Sequence, residues 1–410
     1  MYDFDKVINR RETDSFKWNV KENELPMWVA DMDFETAPEI VEALRDRLRL
    51  PVFGYGRLPG EWYDAYINWW KKRHGFEMQR DSLLFCSGVV PGITSVIRHF
   101  TAPGDEIIML TPTYNHFYQC IEGNGRRVRE VELDDSECQY RVNFERLEHA
   151  LVNSGAKLMI LCNPQNPTGT VWNKEDLNRI GELCADNHTV IISDEIHCDI
   201  ITPGKEYVPF ASVSDVCREN SITFIAPTKA FNLAGLQTAA AYAENSSITK
   251  RVRSVFERDE LSMPNSFASA AAIAAFTKGE AWLAELNEYI YENKIIVRDF
   301  LKSELPQIRL VWGDGTYLLW LDCSSFDMDS RKLVSAIRKT TGLFLMPGSD
   351  YGRGGRNFLR MNIACPKSML TDGLERLKKA VLYIHGKGRS ASDEVNGLND
   401  NLDLLDKKSE

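Results

Sequence analysis

Along this chain the spacing of apolar residues alternates between two periods. Short apolar runs at Leu83–Cys86, Glu106–Leu110, Lys157–Cys162, Thr189–Ser193, Ile222–Ala226 and Ala239–Ala243 predict strands. Helical spacing lies between several of them: within Lys174–Asn187, Leu177, Ile180 and Leu183 fall on one face. Short apolar strands alternating with helices predict an α/β fold whose mostly parallel sheet is covered on both faces. A ligand site then belongs outside the carboxyl ends of the strands.

After about residue 290 the order changes. A long helical stretch, about 279–304, precedes strands near 308–312 and 316–322, a helix at about 329–340, strands at 343–347 and 357–362, and a helix over 367–384. This predicts a separate α+β domain. Residues 386–410 are polar and rich in Gly, Ser, Asp, Asn and Lys, the composition of a disordered tail.

At 410 residues the chain exceeds a typical single core and suggests two domains. A net charge of −10 argues against nucleic acid or an anionic membrane as partner. No apolar run approaches the roughly 18 residues that span a bilayer, and Met1–Lys6 holds no apolar signal-peptide core. The nine cysteines are scattered, odd in number and never spaced Cys-x-x-Cys, which fits reduced thiols in the cytoplasm. The seven histidines show no zinc-like spacing, so no metal is expected.

The chemistry sits at the ends of the apolar runs. Asn163-Pro-Gln-Asn166-Pro-Thr-Gly169 follows one, Ser193-Asp194-Glu195 another, and Pro227-Thr228-Lys229 a third. An Asn, an Asp and a Lys so placed are what pyridoxal 5′-phosphate needs: a lysine for the Schiff base, a carboxylate for the pyridinium nitrogen, an amide for the ring hydroxyl. A lysine shifted by burial also serves as general base for an α-proton. Asp194 also suits a helix N-cap, Asn166 a plain turn, and His197 either a structural imidazole or a partner of the ring oxygen. Asn163 is the weaker amide candidate. The turn Ser87-Gly88-Val89-Val90 opens a helix whose first amides suit a phosphate, with the Thr228 hydroxyl beside Lys229 as a further donor. Tyr114, past another strand, suits stacking on a cofactor ring or packing in the core. Arg360 interrupts an apolar strand-like run, and a buried arginine there needs an anion: the α-carboxylate of an amino-acid substrate, or an internal ion pair. Tyr55 lies in a Gly-punctuated loop, Phe53-Gly-Tyr-Gly-Arg57.

Over about residues 1–385 these motifs resemble the fold-type I pyridoxal-phosphate enzymes, the aspartate aminotransferase superfamily. Leu25-Pro-Met-Trp-Val-Ala-Asp-Met-Asp-Phe34, Phe53–Arg57, Ser193-Asp-Glu-Ile-His197 and Phe231-Asn-Leu-Ala-Gly-Leu-Gln237 are most similar to its cystathionine β-lyase (C–S lyase) branch, the MalY/PatB family. The resemblance implies a large domain (48–290) with a mainly parallel seven-stranded sheet, and a smaller α+β domain from an N-terminal segment (1–47) and 291–385. It implies a homodimer with sites at the interface. Lys229 would be the Schiff-base lysine and proton shuttle, and Asp194, Asn166 and Tyr114 would hold the ring. Tyr55 would reach the other subunit's cofactor phosphate. Arg360 would bind the substrate carboxylate, and Val29 and Ala30 would line the substrate pocket. The implied reaction is α,β-elimination of cystathionine or a related cysteine S-conjugate, with Lys229 or Tyr114 protonating the departing sulfur. Many aminotransferases carry arginine where this chain has Gln237, which weakens phosphate anchoring and favours the lyase branch. The alternatives are an aminotransferase on the same site and a pyridoxal-phosphate protein acting through a partner.

Overall fold

The computed structural model describes residues 2–136 and 139–384; the expected disorder of 386–410 lies outside them. Seven strands form one sheet: β1 (Leu83–Cys86), β2 (Glu106–Thr111), β3 (Arg127–Glu132), β4 (Leu158–Cys162), β5 (Val190–Asp194), β6 (Ser221–Ile225) and β7 (Ala239–Tyr242). Their order is β1-β7-β6-β5-β4-β2-β3. β7 runs antiparallel to both neighbours, and the remaining pairs are parallel. The expected mainly parallel seven-stranded α/β sheet is therefore present.

Every residue of β1, β4, β6 and β7 is buried. The two-residue period sends alternate side chains to opposite faces. Ile107, Met109, Leu158 and Ile160 join one apolar cluster, while Ile108, Leu110, Met159 and Leu161 join another. Both faces are thus covered, which is why the strands read as unbroken apolar runs. The helix Lys174–Asp186 follows the same logic: Leu177, Ile180 and Cys184 are buried, and the Asn173 side chain caps its start by accepting from the Asp176 N–H at 2.7 Å. β3 was not legible as a strand because Arg127, Arg129, Glu130 and Glu132 break its apolar pattern at the sheet edge.

A second, four-stranded sheet is built from Arg309–Val311, Leu318–Asp322, Phe358–Asn362 and Met346–Pro347, in that order. The 25-residue helix Glu280–Glu304 leads into it and is tied to it where the Asn293 amide donates to the carbonyls of Ile363 and Cys365, both at 2.9 Å. A helix over 367–384 comes after the last strand. The expected strand at 343–347 is divided: Leu343–Phe344 pairs in parallel with Leu25–Pro26, and Met346–Pro347 joins the four-stranded sheet. The N-terminal segment is thereby stitched to C-terminal elements. Among the described residues no helix is long and apolar enough to cross a membrane.

Candidate active site

The register of the large sheet gathers the chemical residues. Asp194 ends β5, level with Cys162 at the end of β4. Asn166 lies in the turn after β4, Lys229 in the one-turn helix Pro227–Ala230 after β6, and Tyr114 beyond β2. The helix Val89–Phe100 starts after β1 with Gly88 at its cap. Antiparallel β7 brings Gln237 and Thr238 back to the same edge. A cavity of about 260 Å³ is lined there by Gly88, Val89, Val90, Tyr114, Asn166, Asp194, His197, Thr228, Lys229, Ala30 and Thr238, among others.

Asp194 is buried, and its Oδ1 accepts from the Ile196 N–H at 3.1 Å. Burial pushes its carboxyl up to about 7, against the smaller opposing pulls of that N–H and of Lys229. No ion pair holds this carboxylate among the described residues, so a cation presented from the cavity would meet an unmatched charge. The Lys229 Nζ donates to the Ala30 carbonyl at 2.6 Å. Burial lowers its ammonium to about 8, with Asp31 and Asp194 opposing and Arg360 assisting. His197 is buried, and its Nδ1 has no partner among the described residues. Burial, then the charges of Lys229 and Arg360, lower its pKa well below the usual value, so the imidazole is neutral at pH 7. Burial raises the Tyr114 phenol above its usual range, so it keeps its proton.

Arg360, 3% exposed, sits in the middle of the strand Phe358–Asn362. It donates through Nη1 to Asn166 Oδ1 at 3.2 Å and through Nη2 to the Trp28 carbonyl at 2.7 Å. Its Nε is buried without a partner, and among the described residues no carboxylate pairs with it. Burying a guanidinium without an anion is costly, so the geometry reserves a place for one. The internal ion pair expected as the alternative for Arg360 is absent among the described residues.

Gly88, Val89 and Val90 put the first turn of a helix, with its free amides, against the cavity. A Cβ on Gly88 would lie 3.1 Å from Pro91 Cδ, so the cap is tight. The Thr228 hydroxyl borders the same space. The residues present fit pyridoxal phosphate: an unmatched buried carboxylate, a depressed lysine, an unpartnered imidazole nitrogen and a helix start surround one cavity.

Three expected residues stand apart. Val29 is half-buried and does not line the cavity; its carbonyl accepts from Asn362. Asn163 is committed elsewhere, donating through Nδ2 to the Val208 carbonyl at 3.0 Å. Tyr55 is 98% exposed and does not reach this cavity within one chain. Two residues carried no signal in the sequence: Thr238, which is buried and lines the cavity, and Tyr317, whose hydroxyl donates to the Ala30 carbonyl at 3.0 Å. The potential ligand atoms of His74, Cys198 and Asp199 lie within 4.8 Å of one another. The Asp199 carboxylate there is engaged by Arg73 at 2.7 Å and Trp69 at 3.1 Å.

A model of the family "Aminotransferase class I and II" matches residues 23–377. The chain is 39% identical over 385 residues to the cystathionine beta-lyase PatB of Bacillus subtilis (strain 168), covering 92% of this chain and 99% of that one. It is 34% identical to the protein MalY of Escherichia coli (strain K12), covering 93% and 99%. The crystal structure of the PLP-bound C–S lyase from Staphylococcus hominis matches with a TM-score of 0.88 at 32% identity, covering 93% and 98%. The chain belongs to the aminotransferase class I and II family, in the branch that contains PatB and MalY.

Proposed function

We propose that this protein is a pyridoxal-phosphate-dependent carbon–sulfur β-lyase, cleaving L-cystathionine or a related cysteine S-conjugate to a thiol, pyruvate and ammonia. The observation that carries it is the pairing of two unmatched charges on one site. Asp194 awaits a cation and Arg360 an anion, with the Lys229 amine between their influences. The activity named for PatB supports the same reading.

The cofactor supplies an electron sink for the charge left when the α-proton departs. With the cofactor bound, Asp194 would pair with the ring nitrogen and keep it cationic. The Asn166 amide would donate to the ring oxygen, while its Oδ1 accepts from Arg360. His197, neutral, would offer a second ring partner. Val89 and Val90 would give backbone amides to the phosphate, with Gly88 allowing its close approach, and Thr228 a hydroxyl. Tyr114 would stack on the ring. Arg360 binds the substrate carboxylate, and Ala30, with Val29 beside it, bounds the substrate space. Lys229, with its lowered pKa, takes the α-proton as general base. The β-carbon–sulfur bond then breaks with its electron pair leaving on sulfur. Lys229 or the protonated Tyr114 returns a proton there, and water completes the balance to pyruvate and ammonia.

The proposal includes a homodimer. Leu48, Leu50, Val52, Phe53 and Tyr55 form an exposed apolar run that a second copy would cover, bringing Tyr55 to the other subunit's phosphate. It includes the division into a large domain (48–290) and a small one (1–47 with 291–385). It includes a cytoplasmic setting, supported by eight cysteines that are buried and unpaired among the described residues.

The test is incubation of the cofactor-loaded protein with L-cystathionine and no added 2-oxo acid. Sustained pyruvate with stoichiometric homocysteine is expected. A reaction that stops after one turnover, and resumes only on adding a 2-oxo acid, would mean an aminotransferase.

A further inference from the structure

From Trp28 to Phe34 the backbone is held carbonyl by carbonyl. Trp28 O accepts from Arg360, and the Asn362 amide donates to Val29 O at 2.6 Å and to Asp31 O at 2.7 Å. The Asn232 amide donates to Met32 O at 3.1 Å and Phe34 O at 3.0 Å, while its Oδ1 accepts from the Met32 N–H at 3.0 Å. Arg10 grips the carboxylates of Asp31 and Asp33, and Lys17 holds Asp33 at 2.6 Å. This strap presents one carbonyl to the cavity, that of Ala30. It accepts from Tyr317 Oη at 3.0 Å and from Lys229 Nζ at 2.6 Å.

Two of the holders are attached to backbone in the left-handed region: Asn232 has φ 56° and Thr316, directly before Tyr317, has φ 66°. Asparagine tolerates that region, whereas a β-branched threonine there is a true outlier. Such strain persists where the surroundings over-determine a position, typically beside a functional site. Here it aims Tyr317, fully buried, at a single carbonyl.

We propose that Tyr317 and Asn362 are positioning residues that fix the Ala30 carbonyl as the docking point of the free Lys229 amine. Each time the amine is released in turnover it returns to one place, with an N–H on Ala30 and its lone pair left for the α-proton. The inference rests on the reading of Lys229 as the proton carrier. The charged and titratable groups facing the amine are Asp31, Arg360 and Asp194, with His116, His197 and Tyr317 around them.

The test uses the cofactor-loaded full chain and L-alanine in D2O, a substrate without a leaving group, so that exchange of the α-proton reads the lysine step alone. Tyr317→Phe deletes only the hydroxyl. Exchange is expected to slow roughly tenfold or more, since a small misplacement of a catalytic group has effects of this size. The KM, the cofactor absorbance and the unfolding temperature are expected to stay near the parent's. In the cofactor-free chain, labelling of Lys229 by trinitrobenzenesulfonate, located by mass spectrometry, is expected to move to higher pH. A carbonyl freed of one donor accepts more strongly from the ammonium. Thr316→Gly relieves the strain and keeps the Tyr317 hydroxyl, but it also removes the Thr316 hydroxyl that accepts from the Leu318 N–H at 3.1 Å; it is expected to slow exchange. Parental exchange in both variants, or a changed KM alone, overturns the proposal. Lys229→Ala separates the two levels. Exchange persisting in it refutes the proton-carrier reading itself, whereas a silent Lys229→Ala beside a parental Tyr317→Phe refutes only the docking point.

Discussion

Arg360 Nη1 donates to Asn166 Oδ1 across 3.2 Å, joining the four-stranded sheet to the turn after β4. The proposed substrate anchor and the proposed cofactor contact are therefore one hydrogen-bonded unit. Arg360→Lys keeps the charge but loses the planar fork, and with it either the Asn166 contact or the carboxylate grip. A charged hydrogen bond contributes about 1.5–3 kcal/mol. The KM for the amino acid should rise roughly 10- to 100-fold, with the cofactor still bound. Steady-state kinetics beside a cofactor titration checks this, and an unchanged KM would remove Arg360 from the substrate site.

The Asp194 carboxyl gives a pH signature in the cofactor-free chain. Its pKa is raised by burial to about 7, from about 3.9 in an unfolded chain. A raised folded pKa means that stability is fully present below about pH 4 and is lost as the pH rises toward about 7, because the unfolded chain releases the proton first. Glu195, also pushed up to about 7 by burial, adds a parallel loss that is independent of the cavity. Asp194→Asn should flatten part of the decline in unfolding temperature between pH 4 and pH 7. Cofactor loading should do the same in the parent, by setting a cation against the carboxylate. An unaltered decline in Asp194→Asn would show that Glu195 and other groups account for it.

Much of this was legible in the sequence, because the large sheet is covered on both faces. Strands such as Leu158–Cys162 are wholly apolar, and each gives way to a turn that carries the polar chemistry. Asn166, Asp194 and Lys229 could therefore be placed on one edge from their positions in the chain. Edge strand β3 was hidden because its solvent-facing charges erase the apolar pattern. Tyr317 was hidden for another reason. Its importance comes from Thr316 in a left-handed conformation and from a carbonyl almost three hundred positions away, and neither is written in local spacing. Of the two residues expected together, Ala30 lines the cavity, while half-buried Val29 turns its carbonyl to Asn362, a distinction that the motif does not carry.

Gly169 is a glycine near the site where both backbone conformation and space oppose a side chain. Its φ is +71°, and a Cβ there would lie 2.8 Å from the Gly315 carbonyl oxygen. The Gly315 N–H also donates to the Gly169 carbonyl at 2.8 Å, so this contact locks the Asn166 turn against the segment leading to Tyr317. Gly169→Ala combines backbone strain with a clash against main chain, and strain of this kind costs about 1–3 kcal/mol. The variant should unfold at lower temperature and bind pyridoxal phosphate more weakly, as followed by thermal scanning with and without the cofactor. Parental values in both would mean that the turn yields freely.

Tyr55 offers the sharpest test of a shared site. It is 98% exposed, yet its loop is not slack. The Arg47 guanidinium donates to the carbonyls of Leu50 and Val52, each at 2.7 Å, and to that of Ser266 at 3.2 Å, and lies 5.3 Å from the Phe53 ring. A loop pinned with its tyrosine outward suits a two-fold partner, where each copy gives what it receives. Tyr55→Ala should then weaken cofactor binding, and Lys229→Ala should abolish turnover. In a mixed dimer of the two, one site combines the Lys229 of the first chain with the Tyr55 of the second and is intact, while the other site lacks both. Random exchange makes half the dimers mixed, each with one good site of two, so at limiting cofactor the mixture should recover about a quarter of parental activity. If the mixture gives only the average of the two separate variants, each chain completes its own site and Tyr55 plays no part across an interface.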